Sequence, residues 1–185
     1  MKTYKERMTA PAYNNKWYTS QNPFHVCGYG LPNCTCYVWG RIAELLGAKH
    51  KLSTNDGKDF YTHNDGYPRG KVPRVGAVAC WNGGADGCGH VAVVERIEKN
   101  GAITVSESAY NGVRFRVRKI PKPFKLVGYN LQGFIYPCPE FYPSVEDIRR
   151  ALLRADKSSQ YDVNADGMVT TKDLLFRRKQ NDGNY

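Results

Sequence analysis

Acidic residues are in short supply: 17 Asp and Glu stand against 27 Lys and Arg, a net charge of +10 over 185 residues. Long apolar runs are missing too. Nothing approaches the ~20 consecutive apolar residues that a membrane span requires, so no membrane partner is expected. The opening stretch MKTYKERMTAPAYNNKW is basic but has no apolar segment of the kind a secretory signal carries. The expectation is a protein made in a host cytoplasm without a signal peptide, reaching any outside target by a route its own sequence does not encode. No internal repeat runs through the first 140 residues, which excludes a repeat array. The positive charge comes with no nucleic-acid motif and is scattered, so nucleic acid is not an expected partner. A solvated basic surface or an anionic polymer accounts for the charge equally well.

What is there describes a globular chain. Apolar residues make up 41%, with seven Phe, thirteen Tyr and three Trp. That length buries one sizeable core and leaves some 40 residues for an appendage. Residues 1–33 are polar, aromatic and loop-like. From Asn33 to Leu46 the spacing predicts a helix, capped by Asn33 and stopped by Gly47. Cys34, Val38, Ile42 and Leu45 share its inner face, with Tyr37, Arg41 and Glu44 on the wetter side. Residues 48–74 read as an irregular connection. Strands follow at 76–81, 89–97, 102–110, 113–120 and 131–137, rich in Val, Ile and Phe and separated by turn signals. Ser144 and Asp147 then open another helix, with Ile148 and Leu152 inward. The layout is α+β. It implies a domain over 1–138, a linker over 139–143 and a small helical unit over 144–185.

Cysteine is the residue that raises a chemical question. There are six, at 27, 34, 36, 80, 88 and 138. In a chain of this length without a secretory signal, reduced thiols are the default. His25, Cys27, Cys34 and Cys36 offer four zinc ligands, but at none of the common knuckle spacings. Cys34 stands in the first turn of the predicted helix, where free N–H groups and the dipole favour a thiolate. A nucleophilic cysteine also needs a base and a group that orients it. Of the four histidines, only His90 opens a strongly apolar strand. A two-residue hairpin at Asn100-Gly101 would pair residues whose numbers sum to 201, setting Asn111 opposite His90. Glu107 would then lie about 13 Å further along, at ~3.4 Å per residue. A bulge or a wider loop would bring it level, so the partner of His90 stays open between a carboxylate and an amide.

Taken in order, GLPNCTCYVWGR, GAVACW and GHVAVVERI…ITVSES resemble the CHAP family of cysteine, histidine-dependent amidohydrolases/peptidases, over roughly residues 10–138. The resemblance implies a papain-like fold and hydrolysis of amide bonds in bacterial peptidoglycan. The bond would be that of an N-acetylmuramoyl-L-alanine amidase or of a stem or cross-bridge endopeptidase. Many members are phage endolysins, which reach the wall through a holin pore. Carried onto this sequence, the resemblance makes Cys34 the nucleophile, His90 the general base and Glu107 the group that orients it. Many members have Asn two residues after the Glu. Here that position is Ala109, which leaves Asn111 as an auxiliary beside Asn33 at the helix start. Cys36 reads as a packing choice, and Trp39 and Trp81 as core.

The tail carries a second motif. DVNADGMVTTKD, residues 162–173, fits a twelve-residue calcium loop. Asp162, Asn164 and Asp166 take positions 1, 3 and 5, and Gly167 the sharp turn. Met168 offers its carbonyl, Thr170 position 9 and Asp173 position 12. One Ca²⁺ is the expected cofactor. The segment resembles half of a dockerin, but RADKSSQ supplies no second loop, so a cohesin partner is not expected. Three functions follow: a peptidoglycan hydrolase with a calcium-binding tail, a calcium-dependent docking protein whose CHAP-like part is silent, or a zinc-binding interaction protein built on His25 and its neighbouring thiols.

Overall fold

Two asparagines open helices in the same way. Asn22 accepts from the N–H of Phe24 at the start of α1 (Pro23–Val26), and Asn33 accepts from Thr35 and Cys36 at the start of α2 (Cys34–Leu46). Each satisfies amides that a helix cannot serve internally. At Gly47, φ 69°, the chain turns left-handed and α2 stops. The computed structural model describes residues 3–164 and 166–181. By their internal contacts these fall into two units, Lys5–Cys138 and a smaller one formed from Pro139 onward with Thr3 and Tyr4.

In the larger unit, α2 is followed by α3 (Gly57–Phe60) and β1 (Arg69–Gly70), two short elements inside the stretch expected to be irregular. Four and two residues carry too little pattern to be read from sequence. Then come β2 (Val78–Gly83), β3 (His90–Ile97), β4 (Ile103–Glu107), β5 (Arg116–Ile120) and β6 (Tyr129–Ile135). They form one antiparallel sheet in the order β1-β6-β2-β3-β4-β5. α2 packs on β3 and β4. Val38 and Ile42 of the helix and Val91, Val93, Ile103 and Val105 of the strands are all fully buried, each stabilising the fold by about 2 kcal/mol.

The wetter side assigned to α2 is a correction. Tyr37 is fully buried and Arg41 is 4% exposed. Non-local elements cover them. Tyr18 lies ring to ring with Tyr37 at 5.7 Å, and Arg41 bonds Glu95 of β3 and the carbonyl of Lys5. A helical wheel does not show a chain segment that returns over the polar side.

The hairpin register is a second correction. Glu98 and Ala102 close a three-residue turn, not a two-residue one. Ile97 faces Ile103 and Arg96 faces Thr104, but beyond Glu95 the register shifts, so that Val94 faces Val105 and Val93 faces Ser106. Continued one step, this sets Glu107 level with Ala92, two residues from His90 on the same face. Asn111 is an exposed turn residue at φ 50° instead.

In the smaller unit, Ser144 and Asp147 form a reciprocal capping box at the start of α4 (Val145–Leu153). This helix packs on α5 (Thr171–Asn181), with Ile148 and Ala151 buried. Arg177 Nε donates to the carbonyl of Pro143 at 2.9 Å.

Candidate active site

Each group arrives on its own element. Cys34 is the first residue of α2 and is half-buried. The Asn33 cap takes the amides of Thr35 and Cys36, not that of Cys34. Asn33 also donates its N–H to Ser108 Oγ at 3.0 Å, and Ser108 donates to Val113 O. The helix start is thereby tied to the chain just beyond β4.

His90 begins β3 where only glycine fits before it. Gly89 sits at φ +75°, and a Cβ there would stand 2.5 Å from Lys58 N and 2.6 Å from Trp81 O. The backbones of α3 and β2 can therefore close around the strand start. His90 pairs with Trp81 across β2, and its ring lies 6.0 Å from that of Trp81 and 6.0 Å from that of Tyr129. His90 as a residue is 7% exposed.

Glu107 ends β4 and is fully buried. His90 Nε2 donates to its Oε2 at 2.7 Å. Arg118 Nη2 shares that oxygen at 2.9 Å, while Arg116 Nε donates to Oε1. With Nε2 engaged by Glu107, the neighbouring Cys34 thiol is the further group that favours a proton on the ring. Burial alone would push the imidazolium toward losing its proton. The bonds to Cys34 and Glu107 outweigh it and lift His90 to about 9. Glu107 moves the other way: burial opposes ionisation, but His90 and the two arginines hold the carboxyl at about 2. The arrangement can therefore hold a proton on the ring beside a nucleophile at neutral pH.

Of the sequence-derived residues, Cys34, His90 and Glu107 come together, Asn33 caps the nucleophile's helix, and Asn111 stays outside. Arg116 and Arg118 went unread, although their signal is visible. Arg116 and Arg118 alternate along β5 and so share a face, and β5 pairs Glu107 with Arg116. Tyr129, beside His90, gave no signal. Cys36 is fully buried, and its thiol is pushed up to about 12, chiefly by burial. All six cysteines are free. Among the described residues no three His, Cys, Asp or Glu side chains are grouped to hold a metal ion, neither the thiols near His25 nor the acids of the tail.

The loop over 162–173 has its own order. Asp162 accepts from the amides of Asp166 (3.1 Å) and Gly167 (2.8 Å), and Asp173 accepts from those of Asn164 (3.2 Å) and Thr170 (2.7 Å). Gly167 takes φ +90°. Burial raises Asp162, and the neighbouring carboxylates of Asp173 and Asp166 add to the rise against two amide bonds. Such mutual repulsion is what a bound cation would relieve. Met168 and Thr170 lie between these acids, and residue 165 lies outside the described residues.

A buried His–Glu pair beside a cysteine at a helix start is the set of groups a thiol nucleophile requires: a base and a group that orients it. The CHAP domain family matches residues 24–109, just under half the chain. A Staphylococcus aureus protein named "Probable autolysin LDP" is 36% identical over 105 residues, 56% of this chain and 36% of that protein. "Staphylococcal secretory antigen ssaA2" of the same species is 31% identical over 105 residues, 55% and 36%. The chain thus spans about a third of the length of these relatives. A solved N-acetylmuramoyl-L-alanine amidase from S. aureus aligns over 55% of this chain and 31% of its own, at 25% identity. Its TM-score of 0.44 is too low to carry the fold.

Proposed function

We propose that the unit Lys5–Cys138 hydrolyses an amide bond of bacterial peptidoglycan through a cysteine acyl-enzyme. The observation that carries this reading is the convergence of Cys34, His90 and Glu107 within a chain whose residues 24–109 match the CHAP family. In the proposed cycle the Cys34 proton rests on His90, and the thiolate attacks the amide carbonyl. The amide of Cys34, which the Asn33 cap leaves unused, meets the developing oxyanion. The imidazolium then protonates the leaving amine, the carbon–nitrogen bond breaks, and water cleaves the thioester. Glu107 stays ionised throughout and keeps the ring oriented. The basic surface suits anionic wall polymers around the substrate. An endolysin role rests on the sequence resemblance alone.

We also infer one Ca²⁺ in the tail, held by Asp162, Asn164, Asp166, Met168, Thr170 and Asp173. Its support is the alternation of oxygen ligands and the crowding of Asp162 by Asp166 and Asp173.

Purified Gram-positive walls should clear with the wild type and stay turbid with Cys34→Ala, while thermal unfolding of the two proteins coincides. Mass spectrometry of the released fragments would name the bond from its new termini. Walls left intact by the wild type across a broad panel, with calcium present, would sink the hydrolase reading in favour of a silent docking protein.

A further inference from the structure

Glu107 reaches His90 only because β3 carries one residue more than β4 opposite it. Had the pairing of Ile97 with Ile103 and Arg96 with Thr104 continued unbroken, Glu107 would stand level with Val93. Neighbours on a strand alternate faces, so Glu107 would then point away from the side on which His90 lies. The extra residue is Glu95. It restores the face and shortens the separation to the diagonal spacing at which long side chains meet.

Glu95 is fully buried and its carboxylate is held from three directions. Arg41 of α2 grips it with two bonds, Nε to Oε1 and Nη2 to Oε2, both 3.0 Å. Ser106, the residue before Glu107, donates Oγ to Oε1 at 2.6 Å. The amide of Arg7 donates to Oε2 at 2.9 Å. One carboxylate therefore joins the bulge, the strand that bears Glu107 and the helix that bears Cys34. An unpaired charge in that position would be strongly destabilising, so the bulge and the pair stand or fall together.

We propose that Glu95 and Arg41 are positioning residues, a buried pair that fixes the bulge and so sets Glu107 on His90 and both against the Cys34 helix. This deepens the hydrolase reading and rests on it for its catalytic meaning. The geometric claim is testable without any substrate. The charged and titratable groups around His90 are Cys34 from α2, Glu107 from β4 with Arg116 and Arg118 behind it from β5, and Tyr129 from β6 with Asp86 near it. None of them is altered by the variants used.

The readout is ¹⁵N NMR titration of the four imidazoles, with His90 assigned by its loss in His90→Gln. The double variant Arg41→Met/Glu95→Met replaces the pair by apolar chains of similar size, a change that folds tolerate. Arg41→Lys keeps the charge and loses the two-bond grip. Circular dichroism checks the fold. The expected result is a His90 transition that falls from about 9 by on the order of one unit or more in the double variant, with Arg41→Lys between. A folded double variant whose His90 still titrates as in the wild type overturns the proposal and leaves the pair a stabilising role only. Should the double variant not fold, an unchanged His90 in Arg41→Lys overturns it equally. Wall lysis is scored separately, so a wild type inert on walls would refute the hydrolase reading without touching this outcome.

Discussion

Replacing Glu107 by Gln removes one charge from a fully buried site and leaves His90, Arg116 and Arg118 facing an amide. The consequence depends on pH in a direction that can be worked out. His90 is raised from 6.5 in the unfolded chain to about 9 in the fold. Its stabilisation is therefore complete below pH 6.5 and is lost as the pH rises through 9. At ~1.36 kcal/mol per unit, the wild type should lose about 3 kcal/mol from this group across that window. In Glu107→Gln, burial still disfavours the imidazolium and only Cys34 opposes it, so the loss shrinks to about 1–2 kcal/mol. Other groups titrating in the window are common to both proteins and cancel in the difference. On the acid side, Glu107 is depressed from 4.5 to about 2. Its contribution is present above 4.5 and lost as the pH falls through 2, and the variant lacks that limb. Urea unfolding of both proteins at unit steps from pH 6 to 10 measures the gap directly. The variant should be markedly weaker at pH 6 and closer to the wild type at pH 10. A gap that stays constant across the range would refute the reasoning, because His90 would then owe nothing to Glu107.

Gly89→Ala should cost more than about 2 kcal/mol, since the added carbon meets the backbone of Lys58 and Trp81 at a positive φ. Gly47→Ala, also at positive φ but with nothing within 4 Å, should cost only about 1 kcal/mol, and equal losses of Tm would contradict the packing argument. Iodoacetamide at pH 8 should label the exposed Cys27 and spare Cys36, whose thiol is held up to about 12. Peptide mapping that finds Cys36 modified in the folded protein would show its burial to be wrong. Calcium at a hundredfold excess over its Kd should stabilise the tail by about 2.7 kcal/mol. Calorimetric titration should give one site, abolished by Asp173→Ala, and the absence of any heat with the wild type would remove the cation from the loop.

The parts of the fold legible in the sequence are those decided locally. Asn33 and Gly47 bracket α2 because capping and left-handed closure involve neighbours only. Ser144 and Asp147 start α4 for the same reason. Strand existence followed from apolar composition, but strand register did not: the slip falls at Glu95, whose carboxylate is bonded to Arg41, 54 residues away in the chain, and to Ser106. The wheel of α2 misjudged Tyr37 and Arg41 because the residues that cover them, Tyr18 and Lys5, belong to a segment outside the helix that returns over it. In the site, spacing alone favoured Asn111 over Glu107 as the neighbour of His90. Resemblance named Glu107, and the bulge is the physical reason it is the residue in contact. Arg116 and Arg118 required knowing which strand lies beside β4.

The placement of Trp81 has an optical consequence. Its indole lies 6.0 Å from the His90 ring, close enough for a protonated imidazole to quench its fluorescence by electron transfer. Trp39 lies 4.4 Å from His50, but burial holds that ring down at about 4, so it is neutral and silent at higher pH. Between pH 6 and 10, brightening of the protein's own emission therefore follows the discharge of His90. The fold comes with a built-in lamp on the proton that the proposed chemistry would move.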